Sequence, residues 1–468
     1  MKTRIFLLLT IVFFFSLQNC SLFQRKDALL TLNGDFVSTD EFFTYESEYY
    51  FSLLEDADKI DKVNSFVDKE ILLYDARQKG YADRPDILES VNEFSKTSKI
   101  RILLDRTILD TVITEDMMRT TYNNSSEAWK STHPFEEEKR RIRDKLANMH
   151  RSRLQNAYYQ FIEETIFNFG VYYHLDTIDS ISTAYAELRQ QWNAEERQYS
   201  ALDVLDSIPY DAALVTYTSG SLEKSDLVAE LRKFPKRVPP SLQRPDVLKS
   251  LVEAILIQQL FLKLADEKAI ADDSEYIRVT HRFQKERILS EYTKEQIYQQ
   301  ISYDDESLFS FYEDRKDSLY STKPKAEVQE IFVKDRPLAE RILERVQNGD
   351  DFTSLADEFT TRYQDKAKPG YLGYITENQY AGIGKAAIRC EPNSVYPEVI
   401  PSGKGFSVIR VLDYQQPVPK SYEKVKGTVR SDYTNFNKKT RRQELIRDLK
   451  EKYNARIHWE NLEIQNQN

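Results

Sequence analysis

Cysteine is nearly absent: Cys20 and Cys390 are the only two in 468 residues. A disulfide framework is therefore excluded, and the fold rests on apolar burial over a long chain. Histidine is also scarce. His133, His150, His174, His281 and His458 are far apart, and none combines with a cysteine at metal-ligand spacing, so neither a metal site nor another cofactor is expected. No charge of one sign dominates, since 66 basic and 76 acidic residues are interspersed and leave a net charge of -10. That balance disfavours nucleic acid as a partner and is expected to give no basic patch for a membrane surface. Long apolar runs are missing outside the first 20 residues, and glycine is down to 12.

The few turn-forming residues are concentrated. Seven of the glycines lie between Gly349 and Gly405, and eight of the 15 prolines lie between Pro324 and Pro419. Within that stretch Ala326 to Val333 reads as a strand. Pro337, Leu338, Ile342, Leu343 and Val346 give a helix closed at Gly349, and a second short helix starts near Asp351 with Phe352, Leu355 and Phe359 on one face. A turn at Pro369-Gly370-Tyr371-Leu372-Gly373, a short helical piece from Tyr380 to Cys390 and a strand at Gly403 to Leu412 complete it.

That order of elements, with NGDDFTSLADEFT, PGYLGYI and GKGFSVIRVLD, resembles the parvulin, or PpiC-type rotamase, domain of peptidyl-prolyl isomerases. The resemblance implies a proline slot beside a polar cluster of two histidines and a Cys or Asp, acting on a barrier of about 18–20 kcal/mol. Motif by motif, the first histidine position is Glu330, the second is Ser407, and the Cys or Asp position is Arg362. The slot positions are Tyr380, Ile383 and Phe406. With the usual groups replaced, an ordinary surface ion pair between Glu330 and Arg362, contributing about 0–1 kcal/mol, is the expectation. Cys390 is expected to be a buried core thiol.

The chain begins with Lys2 and Arg4, an apolar run from Ile5 to Leu17, and Leu17-Gln18-Asn19-Cys20, which resembles a bacterial lipoprotein leader with Cys20 as the acylated residue. The run is too short for a membrane-spanning helix, which needs about 20 residues.

An internal repeat follows. Asp27 to Phe42 and Asp211 to Leu227 share a plan of strand, turn, strand and capped helix, and each leads into amphipathic helices. Phe66, Val67, Ile71 and Leu72 mark the first copy; Ile255, Leu256 and Leu260 mark the second. The expected organisation is a leader (1–19), a first helical module (20–180), a second (200–322), a parvulin-like domain (323–415) and a C-terminal helix and tail returning to the second module (416–468).

This arrangement resembles the SurA and PrsA group of extracytoplasmic chaperones. It implies an α+β multidomain protein, a duplicated helical chaperone module with one inserted parvulin-like domain. The implied partners are unfolded secreted or outer-membrane polypeptides, and the implied location is the periplasmic face of the outer membrane through a lipid anchor. The isomerase domain is expected to be catalytically degenerate. The alternatives are an active peptidyl-prolyl isomerase and a structural assembly lipoprotein. The 54 Tyr and Phe residues fit a client-holding surface, and equally fit the cores of thin helical arms. Gly382-Ile383-Gly384-Lys385-Ala386-Ala387 matches a dinucleotide fingerprint only by letters, with no strand leading into it.

Overall fold

The computed structural model describes residues 27–209, 211–233, 238–362, 369–380 and 382–462. The leader and Cys20 lie outside these residues. No helix among the described residues is long and apolar enough to cross a membrane. The architecture is α+β and mainly helical, and divides into a unit of residues 1–296 with 444–468 and a unit of residues 297–443.

In the first unit the repeat is visible in the backbone. Strands Ala28–Leu32 and Asp35–Ser38 pair across Asn33 and Gly34, both at positive φ as a tight two-residue hairpin turn requires. Strands Ala213–Tyr217 and Gly220–Glu223 repeat the hairpin, including a register shift at the same place. Ser38 caps the helix after the first hairpin by accepting from the Glu41 amide, and Glu223 and Asp226 form a capping box after the second. Each copy continues into two long helices, Asp56–Gln78 with Pro85–Leu104 and Pro245–Glu267 with Ser274–Gln296. Gly80 and Ala269, both left-handed, break the pairs at equivalent points.

The copies are interlaced. Asp56–Gln78 and Pro85–Leu104 both pack on Ser274–Gln296, and Pro85–Leu104 also packs on Pro245–Glu267. Each hairpin takes its third strand from the tail of the other copy: Tyr172–Tyr173, after helix Arg151–Asn168, pairs with Ala213–Tyr217, while Arg456–Ile457, after helix Tyr422–Lys452, pairs with Ala28–Leu32. The start of the C-terminal tail packs on Leu308, Phe311, Tyr312 and Tyr320 of residues 200–322, as expected, but its end departs from the expectation by pairing with the first hairpin. Strand pairing uses backbone groups that carry no residue identity, and the two hairpins share one plan, so the sequence offered either as a template. The first core accordingly joins Leu30, Phe42, Phe66 and Ile71 with Ile288 and Tyr292 of the second copy and Ile446, Leu449 and Tyr453 of the tail. At its centre Asp75, fully buried, accepts from Tyr292 Oη (2.5 Å), Tyr453 Oη (2.6 Å), Lys452 Nζ (3.0 Å) and Lys79 Nζ (2.8 Å).

The second unit holds an antiparallel sheet in the order Tyr371–Ile375, Lys325–Val333, Gly405–Gln415, Ser394–Val395, with Ile400–Ser402 also on the long Gly405–Gln415 strand. Helices Arg336–Gln347 and Phe352–Phe359 cover one face through Ile331, Val333 and Val408, and helix Gly382–Arg389 covers the other through Ala326, Val328, Ile409 and Val411. Residues 305–319 belong to this unit too, since Leu308, Phe311, Tyr312 and Tyr320 pack on Val425 and Val429. Cys390 is half-buried at the margin of the apolar cluster under helix Gly382–Arg389, rather than inside it, with its thiol 3.1 Å from Ser394 Oγ.

Candidate functional site

The period of two along a strand decides which side chains share a face. Glu330 and Phe332 on one strand and Ser407 and Ile409 on its neighbour stand on the same face, since Ser407 is registered with Phe332 and Ile409 with Glu330. Glu330 Oε1 accepts from Ser407 Oγ at 2.5 Å and from Arg362 Nη2. The same Nη2 lies 2.9 Å from Ser402 Oγ and 3.3 Å from Ser407 Oγ, and the guanidinium sits over the Phe332 ring at 3.8 Å. The structure thus brings Glu330, Arg362 and Ser407 together.

Glu330 and Ser407 are both 0% exposed, so this is no surface ion pair, and that expectation is corrected. The cover on its sheet face, helix Gly382–Arg389 and the Arg362 side chain, removes Glu330 from water, a fact that residue type alone does not reveal. Glu330 Oε2 is buried with no hydrogen-bond partner among the described residues. Gly370 makes the burial possible. Its φ of +66° suits glycine, the Glu330 amide donates to its carbonyl at 2.8 Å, and a Cβ there would lie 1.9 Å from the Glu330 carbonyl oxygen.

Of the slot residues, Ile383 is fully buried among Ile400, Ile409 and Ala387, and Tyr380, at φ +54°, lies half-buried at the edge of that cluster. Phe406 is elsewhere. It packs with Ile331, Val333 and Val408 on the opposite face, because the residue preceding Ser407 on a strand must point the other way. Its place in the slot is corrected accordingly. Two contributors were missed. Phe332 was legible as the residue two along from Glu330 on one face, whereas Ser402 reaches Arg362 through a strand register that no sequence pattern announces.

The helical unit has a second concave feature, a cleft of about 1080 Å³. Phe94 and Phe283, stacked in parallel at 3.9 Å, line it together with Leu109 and Val279, and Arg101, Arg106, Glu275 and Arg282 stand among the charged residues around them. One turn of π-helix, Asp105–Leu109, forms part of the wall, a feature that often marks functional sites. Burial pushes the Asp105 carboxyl up, against the pull of Arg143 and Arg101.

Residues 303–427 match the PPIC-type PPIase domain model. Among curated proteins, the foldase protein PrsA of Halalkalibacterium halodurans is 29% identical over 31% of this chain and 41% of its own length. PrsA 4 of Bacillus cereus is 24% identical over 47% of this chain and 76% of its own. The chain thus spans about two fifths of the length of PrsA proteins such as the first of these. Among solved structures, a SurA-like chaperone of Campylobacter jejuni aligns with 51% of this chain and 96% of its own at 20% identity, with a TM-score of 0.30. Residues 303–427 are therefore a domain of the PPIC-type PPIase family, and the chain is similar to PrsA foldase proteins over part of their length.

Proposed function

We propose that the protein is an extracytoplasmic chaperone that holds unfolded secreted or outer-membrane polypeptides, with an isomerase domain that no longer catalyses. The observation that carries this reading is the buried Glu330, Arg362 and Ser407 cluster. The positions matched to the two histidines and the Cys or Asp of the parvulin motif hold instead a carboxylate already engaged by a guanidinium and a hydroxyl on the same oxygen. Such a group neither donates to nor relays a proton for a prolyl amide. Holding needs less. An apolar floor such as the Phe94 and Phe283 stack, ringed by charge, suits extended segments of mixed character, and the cleft volume is at the upper end for a binding pocket. Lipid attachment at Cys20 and placement on the periplasmic face of the outer membrane complete the proposal.

A second reading, an active peptidyl-prolyl isomerase, draws on the position of the cluster, which shares its sheet face with the apolar group around Ile383 and Tyr380. Both readings are tested on the chain from residue 21 onward, by isomerisation of a proline peptide and by suppression of aggregation of an unfolded outer-membrane protein. Suppression without isomerisation above background supports the proposal. Turnover that is lost in Tyr380→Ala establishes the second reading instead.

A further inference from the structure

Helix Tyr422–Lys452 has two sides along its first 22 residues. Val425 and Val429 are buried against the aromatic cluster of Phe311, Tyr312 and Tyr320, which fixes the helix by one face. The rest of the circumference is rich in basic residues, and Lys439 continues the packed stripe beyond Phe436. Residues 422–443 hold Lys424, Lys426, Arg430, Lys438, Lys439, Arg441 and Arg442 against only Glu423 and Asp432, in a chain whose net charge is -10.

The state of these cations sets them apart. In the tail of the first copy, Lys139, Arg141 and Arg143 are neutralised by Glu115, Glu138, Asp105 and Asp110. In the C-terminal helix, Lys426 pairs with Asp305, while Lys438 and Arg430 lie over the Tyr298 and Tyr303 rings. Lys424, Lys439, Arg441 and Arg442 make no ion pair among the described residues, and from Arg430 to Leu445 no residue of the helix is buried.

We infer that the basic part of this helix is an electrostatic docking surface for an anionic phospholipid bilayer. Lys424 to Arg442 span about 27 Å at 1.5 Å per residue, and the cations are spread around a convex rod along that length. That shape matches a flat array of many anions better than one acidic side chain or an extended peptide, which needs a groove. The only large apolar residue exposed here, Phe436, leans on Phe311 and Arg315 rather than outward, so attachment is by charge without insertion. Such attachment weakens steeply with salt, because the screening length falls from about 10 Å at 0.1 M to about 3 Å at 1 M.

The inference stands apart from the proposed holding activity and is tested separately. The chain from residue 21 with no lipid attached is sedimented with vesicles of phosphatidylcholine alone or of phosphatidylcholine mixed with phosphatidylglycerol. Binding is expected only to the anionic vesicles and only at low salt. In the variant carrying Lys438→Gln, Lys439→Gln, Arg441→Gln and Arg442→Gln, affinity is expected to fall about fivefold per charge, several hundredfold in all. Glutamine keeps the helix propensity, and an unchanged circular-dichroism spectrum and thermal midpoint certify that the variant is folded. Equal binding to both vesicles, or unchanged binding of the variant, overturns the inference. So does polyglutamate binding this face more tightly than anionic vesicles do, which would assign the surface to an acidic polypeptide.

Discussion

Replacing Asp75 with Asn tests how the two copies and the tail are fastened. The carboxylate is fully buried and is shared by Lys79 of its own helix, Tyr292 of the second copy and Lys452 and Tyr453 of the tail. Lys79 and Lys452 are 41% and 54% exposed, so both recover hydration when the charge goes, and their share of the loss is small. The tyrosine hydroxyls have no such recourse. A charge-assisted hydrogen bond contributes about 1.5–3 kcal/mol, and asparagine keeps one acceptor oxygen while turning an NH₂ toward donors. The expected cost is about 2–4 kcal/mol, a large part of a typical total of about 5–15 kcal/mol. Urea unfolding of Asp75→Asn beside the parent measures it, and a loss under about 0.5 kcal/mol would refute the reasoning. Acidity gives a second reading of the same group. Burial would raise the Asp75 carboxyl, but the hydrogen bonds from Lys79, Tyr292, Tyr453 and Lys452 outweigh it and hold it far below the usual carboxylate range. As pH falls, the unfolded chain therefore takes up this proton first. The stabilisation is complete above about pH 5 and drains away below it, and Asp75→Asn should flatten that part of the profile.

Other predictions concern single positions. Glu330→Ala removes the carboxylate that balances the Arg362 guanidinium beside Phe332 and should cost about 3 kcal/mol in thermal unfolding, while the double change Glu330→Ala with Arg362→Ala should cost clearly less than the sum of the singles. Gly370→Ala, whose new methyl group meets the Glu330 carbonyl, should destabilise the isomerase domain by about 2 kcal/mol or more. Ala269→Gly relieves a left-handed alanine at φ +51° and should raise stability by about 0.5–1 kcal/mol. The matching change Gly80→Ala, at φ +76°, should lower it by about 1–2 kcal/mol, and both are read from denaturant midpoints.

What the sequence disclosed follows the range of its physics. Alternation and turn residues act over a few positions, so the Asn33-Gly34 hairpin, the helix opened by Pro337 and the strand containing Glu330 were all legible. The motif order also assigns Glu330, Arg362 and Ser407 to one cluster. Burial was harder to read. Whether Glu330 faces water depends on helix Gly382–Arg389 and the Arg362 side chain covering its sheet face, a property of the fold and not of the residue. Phe406 was misplaced although the period of two already fixed its side. The partner of each tail was out of reach, because two hairpins built to one plan offer the same ladder.

That exchange of tails has a consequence in time. Thr31 bonds the His458 ring, 427 positions further along the chain. At the usual elongation rate of about 5–20 residues per second, the first hairpin waits about 20–90 seconds for the strand that completes it. Throughout that interval the strand edge of Ala28–Leu32 is unpaired, and the first core lacks the cover of Ile446, Leu449 and Tyr453. Until its tail is made, this chain carries an open strand edge of the kind that recruits other chains.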